Sequence, residues 1–193
     1  EDAHEEPTIK RSRSHDYVSK EVINVRENVG LIEVANFSKH EFKGPDARKF
    51  LDFIMAGRLP KPGRISLSPM LSYRGKLCGD LTVACLDENE FIVFGSGAAQ
   101  EMHRRWFESH LEKFNVNYNN RSDEFHGLSI AGPNSRKVLE KIVRDDISNE
   151  KFKFRDSRKM FVGGVPAIVN RISFTGELGY EIYVAPHYQL KLY

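Results

Sequence analysis

The stretch Gly44-Pro45-Asp46-Ala47-Arg48-Lys49-Phe50-Leu51-Asp52-Phe53-Ile54-Met55 returns later in the chain as Gly132-Pro133-Asn134-Ser135-Arg136-Lys137-Val138-Leu139-Glu140-Lys141-Ile142-Val143, alike in type or identity at nearly every position. Gly-Pro-Asx is a helix start, because proline at the first turn sacrifices no needed N–H and its fixed φ suits the helix. In the first copy Phe50, Leu51, Ile54 and Met55 recur at helical spacing and make one buried side. Each copy follows a strand-like run, His40-Glu41-Phe42 or Ile130-Ala131. Two copies do not make a solenoid, which needs an array. They predict two topologically alike halves.

Working outward, residues 1–16 are polar and charged, with a short basic run at Lys10-Arg11-Ser12-Arg13, and read as a linker or arm. From Tyr17 the spacing Val18, Val22, Val25, Val29 predicts a helix stopped by Gly30, followed by a strand at Leu31-Ile32-Glu33-Val34. Between the two copies, Leu77 to Leu86 and Phe91 to Ser96 read as strands joined by a hairpin at Asp87-Glu88-Asn89-Glu90. Ala99, Met102, Trp106 and His110, with Phe107, Leu111 and Phe114, then form a broad helical stripe. After the second copy come Met160-Phe161-Val162, a Gly163-Gly164 turn, Val165 to Phe174, and Tyr180 to Val184, all strand-like. Hairpins mixed with helices predict an α+β fold with mixed, largely antiparallel sheets and packed helices, not a doubly wound parallel sheet.

Composition removes several function classes. With 193 residues, 40 % hydrophobic and 29 % charged, the chain is ordinary globular material, and a net charge of +2 offers no footprint for nucleic acid or an anionic membrane. No apolar run approaches the length of a membrane span, and the acidic start Glu1-Asp2-Ala3-His4-Glu5-Glu6 has no signal-peptide core. Cys78 and Cys85 fall in one strand, too far apart to bridge, and read as packed thiols suited to an intracellular protein. The absence of an initiator Met and the ending Leu190-Lys191-Leu192-Tyr193, in what reads as a starting helix, suggest a piece of a longer polypeptide.

Two carboxylates attract chemical attention. Strand alternation puts Leu77, Leu81, Val83 and Cys85 on one face and Cys78, Asp80, Thr82 and Ala84 on the other, so that Asp80 stands among small residues. It reads either as a solvent-facing carboxylate or as an acceptor for ring N–H groups or a base for an amine. In Arg171-Ile172-Ser173-Phe174-Thr175-Gly176-Glu177-Leu178-Gly179-Tyr180-Glu181-Ile182, the residues Tyr180, Ile182 and Val184 share one strand face, leaving Glu181 with Tyr183 on the other. A carboxylate beside aromatic rings suits a flat, nitrogen-rich heterocycle; an edge-strand glutamate in water is the plainer alternative. Gly95-Ser96-Gly97-Ala98-Ala99-Gln100 imitates a dinucleotide fingerprint but has Gln100 at the third glycine and follows a hairpin strand. His103 and His110 share a helical face without any metal-binding motif beside them, which makes packing their expected role.

Taken together, these motifs resemble the folate-binding aminomethyltransferase family of glycine-cleavage T-proteins. Ser68-Pro69-Met70-Leu71-Ser72-Tyr73-Arg74-Gly75-Lys76-Leu77-Cys78-Gly79-Asp80-Leu81-Thr82-Val83 is similar to the family segment leading through glycine to an Asp-Asp-Leu strand. Ile172 to Ile182 is similar to its Tyr-Thr-Gly-Glu-x-Gly-[Phe/Tyr]-Glu segment, and Ile130-Ala131-Gly132-Pro133 to its central helix start. The match covers residues 17–193. It implies a three-part cloverleaf fold, incomplete at the C-terminus, with tetrahydrofolate in a central channel. By that resemblance Asp80 is the catalytic carboxylate near the folate N5/N10 edge, Glu181 holds the pterin ring, and Phe37, Leu67, Ser96 and Phe174 line the channel.

Where the sequence departs from T-proteins, Gly79 replaces the first of two acids, Leu67 and Phe174 stand where Tyr is expected, and Ser96 stands where Asn is expected. These changes resemble the C-terminal folate domains of dimethylglycine and sarcosine dehydrogenases more closely. The resemblance therefore implies formation of 5,10-methylenetetrahydrofolate from an aminomethyl or iminium donor. It implies a small-molecule one-carbon donor, a covalently linked FAD domain upstream or a lipoyl carrier protein as partner, no nucleic acid and no membrane. The expected location is the cytoplasm, or the mitochondrial matrix in a eukaryote. A non-catalytic folate-binding or scaffold module, or a folate-dependent demethylase of another methyl donor, are the other readings of the same residues.

Overall fold

The computed structural model describes residues 9–193, so the first eight residues of the expected arm lie outside the described residues. In chain order the elements are α1 (His15–Glu27), β1 (Gly30–Glu33), β2 (Ser38–Lys43), α2 (Ala47–Ile54), β3 (Arg64–Leu71), β4 (Leu77–Asp87), β5 (Glu90–Gly95), α3 (Gln100–Glu108), β6 (Asn117–Asn120), β7 (His126–Ala131), α4 (Ser135–Leu139), β8 (Ser157–Val162), β9 (Val165–Asn170), β10 (Gly179–Val184) and α5 (Gln189–Leu192). The strands make two five-stranded sheets with neighbours antiparallel throughout: sheet I in the order β3-β4-β5-β2-β6 and sheet II in the order β1-β7-β10-β9-β8. The expected α+β class with antiparallel sheets is what the chain adopts.

The run β2-α2-β3-β4-β5-α3 has the same order and pairing as β7-α4-β8-β9-β10-α5. The outermost strand of each sheet is exchanged. β1 leads into β2 yet pairs with β7, while β6 leads into β7 yet pairs with β2. This exchange explains the Gly-Pro repeat. Gly44 and Gly132 hold φ of 135° and 126°, and the segment entering the exchanged strand presses against each of them. The Asp46 N–H donates to the Asn115 carbonyl (3.2 Å), and the Asn134 N–H donates to the Asn28 carbonyl (3.0 Å). A Cβ on Gly44 would lie 2.7 Å from the Asn115 oxygen, and one on Gly132 would lie 2.4 Å from the Asn28 oxygen.

The sheets also meet at corresponding edges. The Ile65 N–H donates to the Arg155 carbonyl (2.9 Å) and the Ser157 N–H to the Gly63 carbonyl (2.9 Å), with an Arg64–Asp156 ion pair alongside. Three apolar layers result. Phe42, Phe50, Leu51, Leu81, Val83 and Phe107 pack sheet I against α2 and α3. Phe152, Val162, Val169, Tyr180 and Ile182 make the core on the outer side of sheet II. Ile65, Ala84, Ile92 and Phe94 of sheet I meet Ile168 and Tyr183 of sheet II in the layer between them.

Several boundaries differ from the sequence reading. α1 runs His15–Glu27 with Asn28 as its cap, Gly30 opens β1 instead of ending the helix, and no residue of α1 is buried. Its valine spacing is helical, but Val18 and Val22 face solvent. α3 ends at Glu108, where the Ser109 hydroxyl donates back to the Trp106 carbonyl (2.9 Å), and its buried face is His103 and Phe107 while Met102 is exposed. The second Gly-Pro helix is only Ser135–Leu139, because Val143 is drawn into a bridge with Val162 and the Ile142 carbonyl accepts from the Gly163 N–H (2.7 Å). β9 stops at Asn170, whose carbonyl accepts from the Ile172 N–H (3.0 Å) and turns the chain before Phe174. No helix among the described residues is long and apolar enough to cross a membrane, and both cysteines are free.

Gly163 also has positive φ, 59°, but nothing lies within 4 Å of its missing Cβ. Replacing it with Ala should cost about 1 kcal/mol of left-handed strain. Gly132→Ala adds collision with fixed backbone and should cost more than about 3 kcal/mol. Urea unfolding of the two variants checks this ordering, and equal losses contradict it.

Candidate functional site

Residues directly opposite on neighbouring antiparallel strands leave the same face of the sheet. In sheet I, Leu67 pairs with Thr82, Thr82 with Phe94 and Phe94 with Lys39; one step along, Pro69 pairs with Asp80. Phe94 belongs to the layer between the sheets, so Leu67 and Asp80 leave that same inner face, beyond the point where it is packed. Asp80 is exposed and makes no hydrogen bond or ion pair among the described residues. Leu67 is 65 % exposed, although it is apolar.

Ser96 follows β5 in extended conformation, two residues past Phe94, and is exposed. Phe37 immediately precedes β2 and is also exposed. The two turns touch: a Cβ on Gly97 would lie 2.0 Å from the Asn36 carbonyl oxygen, which only glycine avoids. Four of the six residues expected from sequence, Phe37, Leu67, Asp80 and Ser96, thus gather at one end of the sheet I inner face.

Glu181 stands on the opposing wall. Its register partners are Asn170 on β9 and Ser129 on β7, and Tyr183 lies two residues along the same face. Glu181 is half-buried, and the Tyr183 hydroxyl donates to its Oε2 (2.8 Å). Burial raises the Glu181 carboxyl above the ordinary glutamate value, and the Tyr183 bond works against that rise. The Tyr183 ring, 1 % exposed, rests on Phe94 of sheet I with centroids 4.5 Å apart. Phe174 is fully exposed in the loop between β9 and β10, where Gly176 takes φ 81° and Glu177 pairs with Arg26 of α1 (2.7 Å). Two surface hollows, about 300 Å³ at Met102, Arg105, Trp106 and Ser109 and about 260 Å³ beside Phe154, Arg171 and Glu177, are lined by none of the six.

Two buried polar residues escaped the sequence reading. Asn170 is fully buried opposite Glu181; its Oδ1 accepts from the Ser157 hydroxyl (2.7 Å), and its Nδ2 has no partner. Lys39 is fully buried on the inner face beside Phe94, and its Nζ donates to the carbonyls of Ala35 (2.5 Å) and Ser122 (3.4 Å), which pins the turn carrying Phe37. Burial lowers the Lys39 ammonium to about 8, with Asp123 opposing the shift. Neither residue belongs to a motif, and a lysine two places into a short strand carries no sign of burial.

His103, expected from sequence to pack, is buried and lies behind the Asp80 strand. Its Nε2 donates to the Cys78 carbonyl (3.3 Å), and a Cβ on Gly79 would come within 2.9 Å of that nitrogen. The imidazole occupies the space beside position 79, so the glycine at the place of the expected first acid is a packing partner of His103. His103 and His40, with ring centroids 6.2 Å apart, are both buried and both lowered by desolvation, His40 to about 4. Burial disfavours the charged form of both imidazoles, and no group of three or more potential metal-binding side chains occurs among the described residues.

This architecture of two antiparallel sheets with packed helices is the fold of the aminomethyltransferases. The structure aligns with a glycine cleavage system aminomethyltransferase T from Bartonella henselae at a TM-score of 0.79 and 21 % identity, over 90 % of this chain and 46 % of that one. It also aligns with the heterotetrameric sarcosine oxidase from Corynebacterium sp. U-96 at 0.64 and 16 % identity, over 95 % and 90 %. At these identities the likeness is one of fold.

Residues 3–193 match the model of the GCVT N-terminal domain, and the chain belongs to that family. Mouse mitochondrial dimethylglycine dehydrogenase is 35 % identical over 95 % of this chain and 21 % of its own length. An aminomethyltransferase from Thermotoga sp. (strain RQ2) is 31 % identical over 86 % of this chain and 46 % of its own length. The chain therefore spans about a fifth of the first relative and about half of the second.

The depressed Lys39 value has a thermodynamic consequence. The folded chain binds this proton less tightly than the unfolded chain does, so folding is penalised while the amine is charged, and the penalty lifts as pH rises from about 8 toward about 10.4. The stability difference between wild type and Lys39→Met, measured by urea denaturation, should move in favour of wild type across that window. A pH-independent difference contradicts it.

Proposed function

We propose that this chain is a tetrahydrofolate-binding domain for one-carbon transfer that forms 5,10-methylenetetrahydrofolate. The observation that carries the reading is Asp80: a carboxylate without a partner, exposed at the end of the sheet I inner face where Phe37, Leu67 and Ser96 also gather. The opposing sheet presents a second carboxylate, Glu181, already held by a tyrosine hydroxyl. Membership of the GCVT N-terminal domain family supports the same reading.

The residues present fit a reduced folate. A pterin ring offers N–H and amino donors along one edge and two apolar faces, so it needs an acceptor such as Glu181 and apolar cover such as Leu67, Phe37 and Phe174. All three apolar side chains are exposed, which is costly without a ligand or partner to cover them. When bound, tetrahydrofolate supplies the amines that accept the one-carbon unit. Asp80 then holds the amine and takes or returns its proton, Glu181 orients the ring, and Ser96 offers a hydroxyl beside Asp80 in place of an amide.

The similarity to dimethylglycine dehydrogenase extends over 95 % of the chain, and it favours a small N-methyl amine, oxidised to an iminium on a flavin, as the donor. That flavin would belong to another domain or subunit, and no residue here is assigned to it. With a free-standing aminomethyltransferase as the parent, the donor would be an aminomethyl group on a lipoyl carrier. The mitochondrial matrix is the location proposed for a eukaryotic parent, and the cytoplasm for a bacterial one.

Asp80→Asn should lower methylenetetrahydrofolate formation by about 10²–10⁴-fold while calorimetry still registers tetrahydrofolate binding. Unchanged turnover would remove Asp80 from the chemistry. If wild type gives neither heat with tetrahydrofolate nor competition by folate analogues, the domain is a scaffold.

A further inference from the structure

Glu181 can accept two ring N–H groups only as a carboxylate, yet it sits in a place that favours the neutral acid. Its cross-strand neighbours are Asn170 and Ser129, neither of which titrates. Sheet I faces it through the apolar layer of Ile65, Ala84, Ile92 and Phe94. The ionisable groups on the surrounding inner surfaces are engaged elsewhere or lie at the exposed end. Lys159 on β8 pairs with Glu90 (2.5 Å), Glu41 on β2 pairs with Arg121 (3.0 Å) and Lys43 (2.9 Å), Lys39 binds two carbonyls, and Asp80 is exposed on β4. No cation pairs with Glu181 among the described residues. Its one hydrogen-bond donor among the described residues is the Tyr183 hydroxyl.

Tyr183 is built for that task. Its ring is clamped between the sheets against Phe94, so the position of its oxygen is set by packing and not by solvent. A hydrogen bond from a fixed, neutral donor stabilises the charged form of the acceptor and selects one rotamer of it. Burial and the adjacent carboxylate keep the phenol protonated well beyond its ordinary range, so it remains a donor at every working pH.

We propose that Tyr183 is a positioning residue, which holds the Glu181 carboxylate ionised and aimed at the ring edge of the bound heterocycle through a contact braced by Phe94 of the opposite sheet. The inference rests on the folate reading for the identity of the ligand but not for the Tyr183–Glu181 coupling. Because Glu181 must be ionised to accept, affinity is present above its pKa and is lost as pH falls through it. Removing the phenol oxygen shifts that loss to higher pH.

Two measurements on the full-length protein test this. Titration of the ¹³C-labelled Glu181 carboxyl, without ligand, is expected to show a higher midpoint in Tyr183→Phe than in wild type, thermal melts serving to confirm that the retained ring keeps the fold. Equal midpoints overturn the inference whatever the ligand. Tetrahydrofolate affinity, followed by calorimetry between about pH 5 and 8, should be about three- to tenfold weaker at neutral pH in Tyr183→Phe, with its fall-off moved upward. Glu181→Gln should abolish the fall-off, and adding Tyr183→Phe to it should change the profile no further. A fall-off that survives Glu181→Gln, or a Tyr183→Phe profile that matches wild type, overturns the positioning role. If tetrahydrofolate does not bind wild type while the carboxyl midpoint still moves, the folate reading falls and the coupling stands.

Discussion

The exchange of edge strands is the constraint on which the rest of this structure depends. Each Gly-Pro turn is closed by a segment arriving from the other half, Asn115 against Gly44 and Asn28 against Gly132. A sheet cannot complete its edge, nor a turn its hydrogen bonds, until both halves are present. Long-range pairing of this kind delays loop closure but ties the two sheets into one cooperative unit. The junction of β3 with β8 adds a second tie at equivalent positions in the two sheets.

Because the sheets are held at their edges, their inner faces must pack, and the layer between them decides where polar groups can go. Phe94 and Tyr183 fill that layer. Beyond it, sheet I bares Leu67 and Asp80 and sheet II holds Glu181 in a drier setting. The two carboxylates therefore differ in environment though not in chemistry. The exposed one has no side-chain partner among the described residues, and the half-buried one is held by the Tyr183 hydroxyl.

The motif residues were legible early because their signals are local. Gly-Pro-Asx, the alternation of β4 and the Phe-Thr-Gly-Glu turn each occupy fewer than a dozen consecutive residues, and hairpin pairing of β4 with β5 and of β8 with β9 follows from short turns. The valine stripe of α1 shows that helical spacing does not by itself imply burial. Its spacing is truly helical, but whether such a stripe is buried depends on what packs on it: Val25 and Val29 are half-buried against the start of β1 and the Gly132 turn, while Val18 and Val22 stay exposed. α4 fails in the opposite sense: its apolar pattern continues to Val143, but a bridge to β8 competes for that backbone and wins.

Periodicity, turn chemistry and helix starts were thus sufficient to indicate the α+β class and the repeated Gly-Pro unit, since each is written in neighbouring residues, whereas Asp80 and Glu181 were singled out by resemblance to a family and not by pattern alone. Only the tertiary structure decided that β1 and β6 trade places, that Lys39 and Asn170 are buried, that His103 fills the space beside Gly79, and that Tyr183 holds Glu181. Those outcomes depend on which faces oppose each other across the chain, and burial, which raises the Glu181 carboxyl and lowers the Lys39 ammonium, is a property of those meetings and not of any single segment.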